Sequence, residues 1–185
     1  MSTPALLDCD ELLAAWHRLI PNADFAQCHR YELDEVGQAV SNPPPSARRQ
    51  IVLTDVYCHV TEHMGHLAAM SVAVSTRSFG IRVPDVVWMP CHRWEGFDRD
   101  EPLPFVPELC VEVLLDTDRS RDIERRVQAY LAGGAAEVIV IGRGGEIEFW
   151  GAKGKRQAST FGITLPLDSM YFDEPQVSSI FSARC

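Results

Sequence analysis

Long apolar runs are missing: nowhere does this chain of 185 residues hold the roughly 20 apolar positions in a row that a membrane-spanning helix needs. The opening MSTPALLDCDELL has neither the basic start nor the apolar stretch of an export signal, which points to a cytoplasmic protein. Cysteine is present at positions 9, 28, 58, 91, 110 and 185, but in no CxxC and in no Cys/His ligand spacing. Without an export signal the thiols are expected free rather than bridged, several of them in apolar surroundings, and a zinc site has no support. Positive charge is short as well: 17 Lys and Arg stand against 26 Asp and Glu, a net charge of −9. That argues against non-specific nucleic-acid binding by the whole surface, yet leaves room for a local basic patch or for a metal ion among carboxylates. Repeats and low-complexity segments are absent beyond the short SNPPPS.

What is there is an ordinary globular composition, 46% apolar and 23% charged, in a length suited to one domain with a real core. Asp8 and Glu11 have capping-box spacing and predict a helix over about residues 8–20, with Leu12, Leu13, Trp16, Leu19 and Ile20 as its apolar stripe. RYELDEVGQAVSN predicts a strand pair turning near Gly37, ended by three prolines. From Ser46 a second helix follows, with Ile51, Leu53, Val56, Tyr57, Val60 and Met64 on one face. AMSVAVS and GIRVPDVVWM read as the two strands of a hairpin joined by TRSF. After a polar loop over about residues 91–107, LCVEVLL reads as a strand. The next helix starts at Thr117 or Asp118 and stops at Gly133 or Gly134. Two strands around GRGGE close the pattern, with LPLDSMYF as a last short strand and VSSIF packed on the core. Hairpins beside one strand–helix–strand crossover imply an α/β fold, a mixed sheet flanked by helices, with LCVEVLL and EVIVI parallel.

Acids interrupt the valine-rich strands. Asp85 stands in VPDVV and Glu112 in CVEVL, where strand propensity is poor and burial is expensive. Period-two alternation puts Val83, Asp85 and Val87 on one face, and Cys110, Glu112 and Leu114 on one face of the next strand. On neighbouring strands the two carboxylates can meet, and like charges then need a proton or a cation between them. A hard divalent ion held by carboxylates and water is the simplest answer. Pro84 fits that purpose, since it breaks the ladder and lets a bulge re-aim the next side chain.

RVPDVVWMP, then PELCVEVL, then DIERRVQAYLAGGAAEVIVI resembles a large bacterial family of restriction-endonuclease-like proteins, long labelled a domain of unknown function, within the PD-(D/E)XK nuclease superfamily. YELDEVGQAVSNPPPSARRQIVL extends the likeness upstream, so that it covers about residues 30–150. The resemblance implies a restriction-endonuclease-like single domain over 1–185 and a metal-dependent DNA endonuclease using Mg²⁺ or Mn²⁺. Position by position it implies Asp85 and Glu112 as metal ligands and catalytic acids, with the Val113 carbonyl and Glu32 completing the metal set. The superfamily lysine two places after the second acid is replaced by Leu114. In this family it sits four residues before a tyrosine on the crossover helix, which implies catalytic roles for Arg126 and Tyr130. Arginine keeps the charge but, with a pKa above about 12, cannot act as a base.

Plainer readings stand beside these. Asp122 lies four residues before Arg126, the spacing of a surface helix pair worth a few tenths of a kcal/mol, and Arg125 competes for the role. Tyr130 reads equally as a core aromatic. His59, His63 and His66 lack the glutamate of an HExxH site and suit a polar helix face. GRGGE is followed by a strand, so it reads as a hairpin turn rather than a phosphate loop. No serine has a nucleophile-elbow context. Arg48, Arg49, Arg77 and Arg82 are the candidates for a basic face towards DNA. The competing functional reading is a nuclease-fold protein without hydrolytic activity, a binding or assembly module acting as a homodimer.

Overall fold

A computed structural model describes residues 6–19, 31–41, 46–65, 67–114, 120–168 and 171–172. Helix α1, Cys9–Leu19, opens on a reciprocal capping box: Glu11 N–H donates to Asp8 Oδ1 and Asp8 N–H to Glu11 Oε2, both at 2.9 Å. Strands β1 (Tyr31–Leu33) and β2 (Ala39–Ser41) form the expected antiparallel pair. Helix α2, Ala47–Met64, is capped by the Ser46 hydroxyl, which accepts from Arg49 N–H at 3.2 Å, and ends on Gly65 in the left-handed region. Its buried face is Val52, Leu53, Val56 and Val60, whereas Ile51 is exposed, so the apolar stripe is rotated from the one the spacing predicts.

The hairpin departs most from expectation. AMSVAVS is broken into β3 (Ala69–Met70) and β4 (Val74–Thr76), and GIRVPDVVWM into β5 (Gly80–Arg82) and β6 (Val86–Trp88). β3 pairs with β6 in one sheet and β4 with β5 in another. The hairpin therefore passes between sheets twice, outward at residues 71–73 and back at Val83–Pro84–Asp85. Where one mixed sheet is predicted there are two: β2-β1-β5-β4, and a six-stranded sheet that also holds β7 (Leu109–Val113), β8 (Glu137–Ile141), β9 (Ile147–Gly151) and β10 (Gly154–Arg156) in the order β10-β9-β8-β7-β6-β3. Helix α3, Ser120–Gly133, makes the crossover from β7 to β8, which are parallel as expected. It stops in a Schellman turn, with Ala135 N–H donating to Tyr130 O and Gly134 N–H to Leu131 O. Its expected N-cap lies outside the described residues. LPLDSMYF forms no strand among the described residues, β10 was not anticipated, and VSSIF lies outside them.

Strands β6, β7 and β8 are buried on both faces, which explains their richness in valine and isoleucine on both sides of the sheet. One face packs Val86, Trp88, Val111, Val113 and Ile139 on α2. The other packs Val87, Cys110, Val138 and Val140 on Ile123, Val127 and Tyr130 of α3. A third cluster joins Leu12 and Ala15 of α1 to Leu33 and Ile81 of the smaller sheet. Of the described cysteines all four are free, but only Cys110 is buried, so the apolar setting expected for several holds for one. No described helix is long and apolar enough to cross a membrane.

Candidate active site

The passage between sheets builds the site. Past β5 the Val83 N–H leaves the ladder and donates to Glu32 Oε1 at 2.9 Å, and Pro84 has no N–H to place. Asp85 N–H donates to Val111 O at 3.0 Å although Val86 is the residue paired with Val111. Two residues thus oppose one, which is a β-bulge, and Pro84 stands where a bulge was expected. The bulge also undoes the simple alternation. Asp85 takes its partners from the α2 side: Arg49 Nη2 at 3.1 and 2.9 Å from its two oxygens, and Val113 N–H at 2.8 Å.

Glu112 turns towards α3. Val111 and Val113 face α2, so alternation turns Glu112 with Cys110 towards α3. There Tyr130 OH donates to Glu112 Oε1 at 2.5 Å and Arg126 Nη1 stands 3.3 Å from the same oxygen. Residues 126 and 130 are one helical turn apart and share the face that meets β7. Glu32 joins from β1: Leu33 packs on α1, so its neighbour points the other way, and Arg126 Nη1 donates to Glu32 Oε1 at 2.6 Å. Arg82, next to Ile81, adds a contact to Glu32 Oε2 at 3.3 Å.

Glu32, Glu112, Arg126 and Tyr130 are therefore one hydrogen-bonded cluster, and Asp85 is held beside it by the residue that follows Glu112. The Asp85, Glu32 and Glu112 side chains are 0%, 0% and 2% exposed, while those of Arg49 and Arg126 are 13% exposed and stand between the acids and solvent. An ionised carboxylate buried alone costs several kcal/mol, and each of these acids is matched by a guanidinium. Burial alone would lower the Arg126 pKa, but Glu112, Glu32 and Tyr130 outweigh it and hold the group well above its ordinary value. Burial, reinforced by Glu112, pushes the Tyr130 phenol well up, so it serves as a hydrogen-bond donor.

The remaining candidates sort themselves out. Arg126 turns inward to Glu32 and Glu112 rather than pairing along the helix with Asp122, and Arg125 pairs with Glu35 at the surface. Arg49 and Arg82, expected on an outer basic face, are committed to Asp85 and Glu32, and Arg48 donates to the Tyr171 carbonyl. Leu114, in the place of the superfamily lysine, lines a cavity of about 180 Å³ with Ile123, Val127 and Trp150. His59 pairs with Asp55, His63 bonds the Phe161 carbonyl, and His66 lies outside the described residues. GRGGE is the β8–β9 turn. Among the described residues no three His, Cys, Asp or Glu side chains surround one point as a metal-holding group. Sequence reasoning passed over Glu137, fully buried at the start of β8, where it accepts from Ser159 Oγ and Thr160 N–H and anchors the segment that follows β10.

An acid at a bulged strand start, a second acid on the next strand and a crossover helix that brings Arg126 to the second acid are the frame of the site in this mixed α/β fold. A crystal structure described as "a putative nuclease belonging to DUF820", from Anabaena variabilis ATCC 29413, shares that fold: TM-score 0.65, 12% identity, covering 84% of this chain and 91% of the other. The chain belongs to the Uma2 family, described as "Putative restriction endonuclease", whose profile matches residues 15–163. No curated protein matches the sequence.

Proposed function

We propose that the protein is a metal-dependent phosphodiester hydrolase acting on DNA. The observation that carries this is the meeting of Glu32, Glu112, Arg126 and Tyr130 in one buried network, with Asp85 tied to the adjoining backbone N–H of Val113. The donor types suit a hard cation: carboxylate oxygens, with a backbone carbonyl at the residue after Glu112 as a further oxygen. Asp85, Glu112 and the carbonyl of Val113 would hold Mg²⁺ or Mn²⁺, with Glu32 as a further acid of the set. When bound, the ion supplies polarisation of the scissile phosphate and activation of water. Arg126 faces the charge that develops on the phosphoryl oxygens and donates to it; it stays protonated and takes no proton from water. Tyr130 holds Glu112 in place by its hydroxyl and, as a neutral donor, keeps that carboxylate oriented.

The test is Mg²⁺- or Mn²⁺-dependent nicking of plasmid DNA by purified protein, with loss of at least a hundredfold in Asp85→Ala, since metal-assisted steps carry several kcal/mol. Failure to cut single- and double-stranded DNA with either metal would overturn the reading. One observation favours a second function: every acid of the site already has a guanidinium partner. A charge-neutral site suits a nuclease fold used as a non-hydrolytic, homodimeric assembly module. Arg126→Lys separates the two readings. Restored or increased cleavage means the site lacks only the lysine's chemistry, whereas an inert variant favours the assembly module.

A further inference from the structure

We propose that Arg49 is a built-in counter-cation that competes with the divalent ion for Asp85, so that metal and phosphodiester bind this protein cooperatively. The inference rests on the reading of Asp85 as a metal ligand and gives Arg49 a role of its own. Asp85 is wholly buried, and one guanidinium nitrogen, Nη2 of Arg49, lies 2.9 and 3.1 Å from its two carboxylate oxygens. A metal ion coordinates through the same oxygen lone pairs, and two cations at hydrogen-bond distance from one carboxylate repel each other. A metal ion entering at these oxygens therefore competes with Arg49 for Asp85.

Departure is feasible because of where Arg49 is anchored. Its backbone lies in the first turn of α2, fixed by the Ser46 cap, so the guanidinium can move on its side chain while the helix stays put. The Arg49 side chain is the partly exposed member of the pair, at 13%, and Asp85 the sealed one, so Arg49 is the partner with solvent to move towards. What draws it off must offer a comparable acceptor. A phosphodiester does so, since the planar guanidinium fork matches phosphate as well as carboxylate. An arriving strand takes Arg49 onto its phosphate, frees the Asp85 oxygens and raises metal affinity; by linkage, bound metal raises affinity for the strand by the same factor. Without nucleic acid the site stays neutral and nearly closed to metal, which keeps a hydrolytic centre idle.

The experiment is Mn²⁺ titration by calorimetry on the full chain, with and without a phosphorothioate DNA duplex that resists cleavage. Arg49→Gln is expected to bind Mn²⁺ about tenfold tighter than the unaltered protein, within the usual range of coupling factors. Adding Asp85→Asn to Arg49→Gln should remove that gain. The duplex should tighten Mn²⁺ binding to the unaltered protein and do so less for Arg49→Gln. Arg49→Lys keeps a cation without the fork, and serves as the readout should the glutamine variant not fold; it is expected to bind Mn²⁺ severalfold tighter. Equal or weaker Mn²⁺ affinity in a folded Arg49 variant overturns the proposal, whatever the nicking assay shows. Absence of nicking together with the Arg49 effect removes the hydrolase and leaves the competition standing.

Discussion

At the residue scale, Tyr130 shows how the site responds to pH. Its ring is wholly buried and its hydroxyl donates to Glu112, so burial first, and then the neighbouring carboxylate, disfavour the phenolate. The folded pKa is raised above that of an unfolded tyrosine, about 10. Below that pH the phenol is neutral in both states. As pH climbs past it, the unfolded chain gives up a proton that the folded chain retains, and stability falls. Urea unfolding between about pH 9 and 11 should show this decline, and Tyr130→Phe should flatten it; an unchanged slope would mean the phenol ionises freely in the fold. Cys110, pushed well up chiefly by burial, and Tyr31, raised by burial, shift the same way and set the residual slope. Asp85 and Glu112 were legible as candidates because an acid inside a valine run is costly unless it is matched. Arg126 and Tyr130 were legible only through the family resemblance, since their own residue types fit a surface ion pair and a core aromatic as well. Arg49 was not: at the start of an amphipathic helix an inward arginine and an outward one look alike. Nor could alternation tell that Asp85 turns towards α2, because a bulge shifts the phase of everything before it.

Among the elements, the hairpin of β4 and β5 positions Glu32, and Gly80 is its most constrained point. Gly80 has φ of 83°, and a Cβ there would sit 2.1 Å from the Leu33 carbonyl oxygen. β1 must approach that closely for Leu33 to pair with Ile81, and the same approach delivers Glu32 to Arg126 and to the Val83 N–H. Gly80→Ala is expected to lower stability by about 3 kcal/mol, combining left-handed backbone strain with a backbone clash. Urea denaturation measures it, and a loss under about 1 kcal/mol would mean that β1 is free to move aside. Helix starts were legible here because Asp8–Glu11 and Ser46 are caps with a chemical signature, and the crossover was legible from its length. The division into two sheets was not. Periodicity runs through AMSVAVS and GIRVPDVVWM without a gap, and only Pro84 marks the place where the ladder changes partner. β10 escaped notice because GKR is short and polar, and LPLDSMYF alternates like a strand while its described residues form no ladder.

Over the whole molecule, charge sets the terms on which DNA can approach. The chain carries −9, and the arginines closest to the site are spent on carboxylates rather than displayed. A basic nuclease gains affinity from many released counterions, with a slope of log K against log salt near −0.9 for each phosphate neutralised. Among the described residues Arg49 and Arg126 are the guanidiniums both near the site and partly exposed, so the slope should be about −2. The acidic remainder repels the duplex, and added salt screens that repulsion within about 10 Å at 0.1 M, which makes the dependence shallower still. Fluorescence anisotropy with an uncleavable duplex between about 50 and 200 mM salt checks this, and a slope of about −6 or steeper would require a broad basic face. A shallow slope has a consequence for specificity. With little non-specific attraction to hold the protein on arbitrary sequence, contact has to come from phosphate delivered directly to the buried acids and their arginines. Strands already bent or opened supply it more readily than a regular duplex, whose stiffness must first be overcome.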